Sequence, residues 1–391
     1  MTRNRFSIST IVRDGSAESP RSVRDVRVDA GWFLSAVAVL TLAFGWTSLS
    51  LADGPSAVAW LRAQQNADGG LGSPASSVGA TVDVLLAVAS TGDNAVGWTN
   101  GGKTPLAYLQ ANAASIVKAG GSAKVILALI ASGKNPRDLG GVDLIAKLEG
   151  MIGADGKIGG DSDFINEHCY AMIALSSAKR AIPAESANHL LSKQIADGTW
   201  SWNGDITAGS GDNNTAAIAV VALIAAGVPA DDEQIQKTLA HFERQQNEDG
   251  GFPYINPSPF GTDSDSNSTA VVMWAIKAAG QDPAGADWKY QEQEGHSALD
   301  KLRSFQNDNG AFRWQDAVPA DNFSSTVQAL IALEMKTLPF AWMDIGEPAV
   351  SVPSKPEVLP ETGANLWAQA VVLLSSGAAL VGVGLSLRRR L

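Results

Sequence analysis

Gln245-Gln246-Asn247-Glu248-Asp249-Gly250-Gly251-Phe252 is the stretch on which the fold turns. It closes a polar, amphipathic segment, Asp232 to Gln246, and leads through a polar loop into Asn267-Ser268-Thr269-Ala270-Val271-Val272-Met273-Trp274-Ala275-Ile276. Asp-Gly and Asn-Gly form turns because both residues tolerate positive φ. The same turn recurs at Gln64 to Leu71 and at Gln306 to Phe312, with shorter versions at Gln194 to Trp200 and Ala154 to Ile158. After each turn an apolar helix is expected, beginning near Ser77, Ser122, Asn166, Asn214, Asn267 and Asn322, where Asn and Ser can cap free N–H groups. Gly227 and Gly280 are placed to close two of these helices. A helix apolar nearly all round is buried, and its more polar predecessor belongs to an outer, half-solvated layer. Six helix pairs result, the second degenerate because Leu106 to Gly121 lacks the Asp-Gly turn. Units repeating at about 40–60 residues stack and share one core. The expectation is an all-α chain, an α/α toroid with inner and outer rings over residues 53–340. An open array of helix pairs is the alternative.

Outward from the repeats, the composition divides. The chain has 391 residues, with Lys+Arg 29 against Asp+Glu 40 and a net charge of -11. Residues 1–31 carry six Arg and four acids, and residues 364–391 carry three Arg and no acid. The segment 53–363 therefore holds 20 basic and 36 acidic residues, a net of -16. Such a surface repels phosphate backbones, so nucleic acid is excluded as a partner. Hydrophobic residues at 45% allow a large core and argue against whole-chain disorder. The single cysteine, Cys169, excludes an internal disulfide framework.

The two ends read as addresses. Residues 1–52 have the form of an export signal: an Arg-bearing leader, an uncharged apolar segment over 32–52, and small residues at Ser50 and Ala52 before Asp53. An uncleaved membrane anchor is the rival reading. Near the other end, residues 341–358, with Pro348, Pro353 and Pro356, suggest a semi-extended stalk. Leu359-Pro360-Glu361-Thr362-Gly363 follows, then an apolar stretch from Leu366 to Leu387 and Arg388-Arg389-Arg390, with residues 364–391 expected as a transmembrane helix and basic tail. This three-part tail resembles the sortase sorting signal of wall-anchored bacterial proteins. The resemblance implies a sortase-type transpeptidase as partner, cleavage between Thr362 and Gly363, and display at the bacterial cell surface, held to wall or membrane.

The repeats resemble the prenyltransferase and squalene-cyclase superfamily, whose toroid also occurs in cobalamin carriers. Gln-x-x-x-Gly-x-[Phe/Trp] turns followed by Ser-Thr-Ala helix starts carry the likeness, over roughly residues 55–340. In triterpene cyclases it implies a D-x-D-D-T-A motif, whose central Asp protonates an alkene. The matching segment is Asp265-Ser266-Asn267-Ser268-Thr269-Ala270, where an amide, Asn267, holds the proton donor's place. An amide is no acid. Asp263 supplies a D-x-D two residues out of register, so Asp263 and Asp265 are the weak catalytic candidates. About 310 residues between Ala52 and Gly363 leave no room for the second helical domain of full triterpene cyclases. The prenyltransferase likeness implies zinc ligands, for which Glu167 and Cys169 are weak candidates. Adjacent residues of Glu167-His168-Cys169 point about 100° apart on a helix and cannot all meet one ion. Asp161-Ser162-Asp163 and Asp263-Ser264-Asp265 would suit calcium by type, but capping of helix N-termini accounts for them better.

Inner-helix starts face one mouth of a toroid. There Trp200, Trp202, Phe252, Tyr254, Phe260, Asn267 and Trp314 are the ligand-binding candidates, aromatic walls with a few polar groups. The expected function is a non-catalytic binding or adhesion module for a small hydrophobic, sugar or corrinoid ligand, with no cofactor. The rivals are a terpenoid cyclase or transferase with a relocated acid, and a cobalamin carrier.

Overall fold

The computed structural model describes residues 52–160, 164–259 and 261–346. Among these, twelve α-helices alternate between two rings. The outer ones are α1 (Gly54–Arg62), α3 (Pro105–Ala111), α5 (Leu144–Glu149), α7 (Ala184–Ser192), α9 (Glu233–Gln245) and α11 (Ala298–Ser304). The inner ones are α2 (Val78–Ser90), α4 (Ala119–Ala131), α6 (Ile165–Ser177), α8 (Asn213–Ala225), α10 (Ser266–Ala278) and α12 (Phe323–Leu333). Each inner helix packs on the next in chain order, and α12 returns to pack on α2. The ring is closed, which settles the alternative of an open array.

Burial follows the sequence pattern. In α8 every residue from Thr215 to Leu223 is buried. In α9 only one stripe is, with Ile235, Leu239 and Phe242 facing inward. Local chemistry sets the outer starts: Asp53 and Thr104 cap α1 and α3, which carry proline in the first turn, and Ser297 and Asp300 form a capping box on α11.

The glycine turns join neighbouring units. Gly250 sits at φ 86, where an added Cβ would lie against the His296 carbonyl of the next unit. The turn glutamine then bridges. Gln246 Nε2 donates to Gly250 O at 2.9 Å and to Trp288 O at 2.9 Å. Gln65 and Gln194 do the same toward Trp98 and Gln234. In the last unit the acceptor is Asp53 O, at the first outer helix.

Several sequence expectations are corrected. α4 starts at Ala119, three residues before Ser122, with no side-chain cap at Lys118. Asn166, Asn214 and Asn267 are not caps but the second residues of their helices; the caps of α8 and α10 are the preceding acids, Asp212 and Asp265. The chain is not wholly helical: β1 (Phe312–Gln315) and β2 (Val318–Asn322) form an antiparallel hairpin with an irregularity between Arg313 and Gln315. Residues 341–346 belong to the toroid rather than to a stalk. They cross the C-terminal ends of the inner helices, where Met343 N donates to Ser177 O and Ile345 N to Ala178 O. Arg137 then holds Gly346 O from Nε and Nη2 at 3.1 and 2.7 Å. This strap, with Leu338 to Ala341, fills the end opposite the mouth.

The export signal, the remainder of the stalk, Leu359 to Gly363, the tail helix and the Asp161-Ser162-Asp163 pair all lie outside the described residues. Among the described residues no helix is long and apolar enough to cross a membrane.

Candidate functional site

A helix returns to the same face every three to four residues. The second residue of each inner helix forms the first layer inside the mouth: Gly79, Gly120, Asn166, Asn214, Asn267 and Ser324. The sixth residues form the next: Asp83, Lys124, Tyr170, Ile218, Val271 and Gln328. The mouth is therefore polar and unevenly so, with two glycines on one side and amides on the other.

On the amide side lies a cleft of about 490 Å³, lined by Asn214, Tyr254, Asp265, Asn267, Ser268, Trp314, Asn322, Ser324 and Gln328. Tyr254 and Trp314 keep 45% and 41% of their surface exposed, so the cleft is open. Asn267 spans to α12: its Nδ2 donates to Gln328 Oε1 at 2.6 Å and its Oδ1 accepts from Ser325 Oγ at 2.8 Å. The side-chain oxygen of Asn214 is buried without a hydrogen-bond partner.

The two capping acids repeat one arrangement. Asp265 is 3% exposed; it accepts from Ser268 N and Ser268 Oγ, each at 2.7 Å. Asp212 accepts from Thr215 N at 2.7 Å and Thr215 Oγ1 at 2.8 Å. An aromatic side chain from the segment after the next turn approaches each carboxyl, Tyr254 at Asp212 and Trp314 of β1 at Asp265. Burial pushes both carboxyls above the usual range, against the opposing pull of these hydrogen bonds. Trp314 lies in β1 opposite the irregularity, where β2 carries one extra residue between Val318 and Asp321.

The sequence-predicted residues separate. Tyr254, Asn267, Trp314 and Asp265 meet in the cleft. Trp202 stays exposed on the rim, paired with Phe164 at a ring distance of 5.4 Å. Trp200 and Phe252 are fully buried and belong to the core. Trp200 Nε1 donates to Leu190 O at 2.7 Å, and Phe252 packs between Phe242 and Trp288. Phe260 lies outside the described residues. Asp263 is exposed on a separate groove with Asp249 and Asp316, which Lys301 bridges at 2.9 and 2.6 Å. The sequence reading missed Ser324 and Gln328 as lining residues; their signal was the helical register they share with Asn267 and with Tyr170.

Glu167 and Cys169 do not converge on a metal geometry. Cys169 is fully buried and its thiol is pushed well above the ordinary value by desolvation. His168 between them is committed to backbone. Its Nδ1 accepts from Ile158 N at 3.0 Å and its Nε2 faces Ser186 O at 2.9 Å. It stands where Thr81, Thr269 and Thr326 accept the equivalent turn N–H in other units. Among the described residues no group of three or more His, Cys, Asp or Glu could hold a metal ion.

No protein family's sequence profile matches the chain, and no curated protein matches it. Solved structures share the toroid. A type II terpene cyclase from Scytonema, MstE, is similar at a TM-score of 0.50 and 14% identity, over 72% of this chain and 96% of that one. A glycosidase is similar at 0.50 and 14%, over the same 72% and 96%. A variant of a glycosidase reaches 0.51 at 13% identity. At such identities the likeness establishes the fold, and the same fold serves unlike chemistries.

Proposed function

We propose that the chain is a surface-displayed binding module whose mouth cleft takes a polyhydroxylic ligand, a sugar or short glycan, without reacting it. The observation that supports this best is the division of space. Small-molecule sites occupy about 300–1,000 Å³. The mouth cleft, at about 490 Å³, lies in that range, whereas the space on the ring axis is about 30 Å³. A hydrocarbon chain needs an enclosed apolar cavity. A sugar needs what the mouth has: amides and hydroxyls that both donate and accept, and exposed aromatic faces for its C–H groups.

On this reading the toroid sits outside the cell, held through Thr362 or the tail helix. Support comes from the strap. The described chain ends at Gly346, docked at the end opposite the mouth. A tether leaving there would turn the mouth away from the envelope.

The test is calorimetric titration of the full-length chain with maltohexaose, cellohexaose and chitohexaose, beside geranylgeranyl diphosphate and cyanocobalamin. Saturable heat with a hexaose, weakened at least tenfold by Trp314→Ala, supports the reading. Absence of heat with every sugar counts against it.

A second reading, an enzyme of the terpene cyclase type, has one observation in its favour. Asp265 is buried, its pKa is raised, and it lies beside Trp314 in a cleft of a fold shared with a type II terpene cyclase. Conversion of a geranylgeranyl substrate that stops on Asp265→Asn would establish it and displace the first.

A further inference from the structure

Beneath the mouth, the ring axis encloses a smaller chamber. Asp83 of α2, Lys124 of α4, Tyr170 of α6, Trp274 of α10 and Gln328 of α12 share its wall with the aliphatic Leu86, Val327, Ile331 and Leu338. Side chains from helices on all sides of the ring meet there, which puts it on the axis. Gln328 also lines the mouth cleft, so the chamber adjoins the cleft's floor.

The polar groups in this wall are not explained by packing. Ile218 and Val271 fill the same layer with aliphatic side chains, and Leu127, Ile173 and Val221 follow one turn below. An inward ion pair is not needed for stability, since apolar residues of similar volume commonly replace such pairs without loss. Yet Lys124 Nζ and Asp83 Oδ1 pair at 2.5 Å, both partly open to solvent, and Lys124 lies 5.4 Å from the Tyr170 ring centroid. Trp274 is 2% exposed, and its indole N–H has no hydrogen-bond partner. A buried donor left unpaired is costly, so this one calls for an acceptor.

Size and chemistry together select the occupant. About 10–15 Å³ of such space holds one water-sized group. A chamber of about 30 Å³ therefore holds two adjacent small groups and no ring. The donors are an indole N–H and an ammonium; the acceptor is a carboxylate.

We propose that this chamber is a subsite for a vicinal diol at the inner end of the mouth ligand. One hydroxyl oxygen accepts from Trp274 and Lys124, and the neighbouring hydroxyl donates to Asp83. The subsite rests on the polyhydroxylic reading of the mouth and adds a discrimination to it: ligands differing at one of two adjacent hydroxyls are told apart on the axis, not at the aromatic rim.

Glycerol is a small probe that carries a vicinal diol. The full-length chain, labelled with ¹⁵N at its tryptophan indoles, is titrated with glycerol, and the Trp274 signal is assigned by its loss in Trp274→Phe. The expected result is a saturable shift of the Trp274 signal, weakened at least tenfold by Asp83→Asn. Trp274→Phe, which deletes the N–H donor together with part of the indole ring, is expected to weaken hexaose binding at least tenfold by calorimetry. A Trp274 signal that stays still, or drifts without saturating, while the Trp314 signal saturates with a hexaose overturns the subsite and leaves the mouth reading standing. Silence of both signals toward glycerol and all three hexaoses overturns both.

Discussion

Gln306 and Asp53, 253 residues apart, are joined by a reciprocal pair of hydrogen bonds. Gln306 Oε1 accepts from Asp53 N at 2.8 Å, and its Nε2 donates to Asp53 O at 3.0 Å. The same Nε2 donates to Gly310 O within its own turn at 3.0 Å. The glutamine that links each of three earlier units to the next thus closes the ring on the first. Trp60 Nε1 adds a bond to Asp321 across the same junction at 3.3 Å.

Gln306→Ala removes both bonds to Asp53, leaves the backbone groups of Asp53 to water and keeps the bond from Trp60 to Asp321. At about 1 kcal/mol for each net hydrogen bond, the expected loss is about 2 kcal/mol. Urea unfolding of the variant measures it. A loss under about 0.5 kcal/mol would mean that apolar packing of α12 on α1 and α2 closes the ring alone.

Gly250 and Gly227 form a matched pair. Both have positive φ, at 86 and 90, but an added Cβ collides with the His296 carbonyl in the first case and meets nothing within 4 Å in the second. Gly227→Ala should cost only the conformational penalty, about 1 kcal/mol. Gly250→Ala adds a backbone clash between units and should cost about 3 kcal/mol or more. Equal losses would show that the turn relaxes freely and does not set the spacing between units.

These turns are also where the sequence was most legible. Asp-Gly marks a backbone conformation that few other residue pairs adopt, so the repeats could be counted without coordinates. Ser77 and Asn322 were read correctly as caps, whereas the starts at Asn214 and Asn267 were read late because an Asn resembles a cap while Asp212 and Asp265 perform the capping. Closure was expected from six helix pairs with buried inner helices, but the contact that makes it was not legible, since Gln306 meets a residue at the far end of the repeats. Trp200 and Phe252 could not be told from Trp314 by type. Burial decided between them, and Trp314 owes its exposure to a hairpin too short to show an alternating pattern. The strap was missed because Leu338 to Gly346 has neither helical nor strand periodicity.

His168 gives the fold an acid limb. Desolvation, with the nearby His189 acting in the same direction, lowers its imidazole pKa from 6.5 to about 4. Between those values the unfolded chain binds the proton that the folded chain refuses. The stabilisation is therefore complete above pH 6.5 and is lost as pH falls toward 4, by about 3 kcal/mol in all. His168→Thr, the residue found at this register in α2, α10 and α12, should flatten the dependence of the urea midpoint between pH 7 and 4.5. Identical slopes in the two proteins would assign the acid limb to other groups.

Asp265→Asn separates structure from chemistry. Asparagine caps a helix nearly as well as aspartate, so the stability change should stay within about 1 kcal/mol. On the binding account, hexaose affinity changes modestly and no reaction disappears, because none is present. Loss of a measured turnover in this folded variant would instead identify Asp265 as the acid of an enzyme.

The most direct measurement is a structure of the full-length chain determined with a bound hexaose. The account expects the glycan in the mouth cleft, one ring against Trp314 or Tyr254, polar contacts to Asn214 and Asn267, and two adjacent hydroxyls entering the chamber beside Trp274. A glycan bound elsewhere, or an isoprenoid occupying the mouth with Asp265 at its reactive end while no hexaose binds, would contradict it.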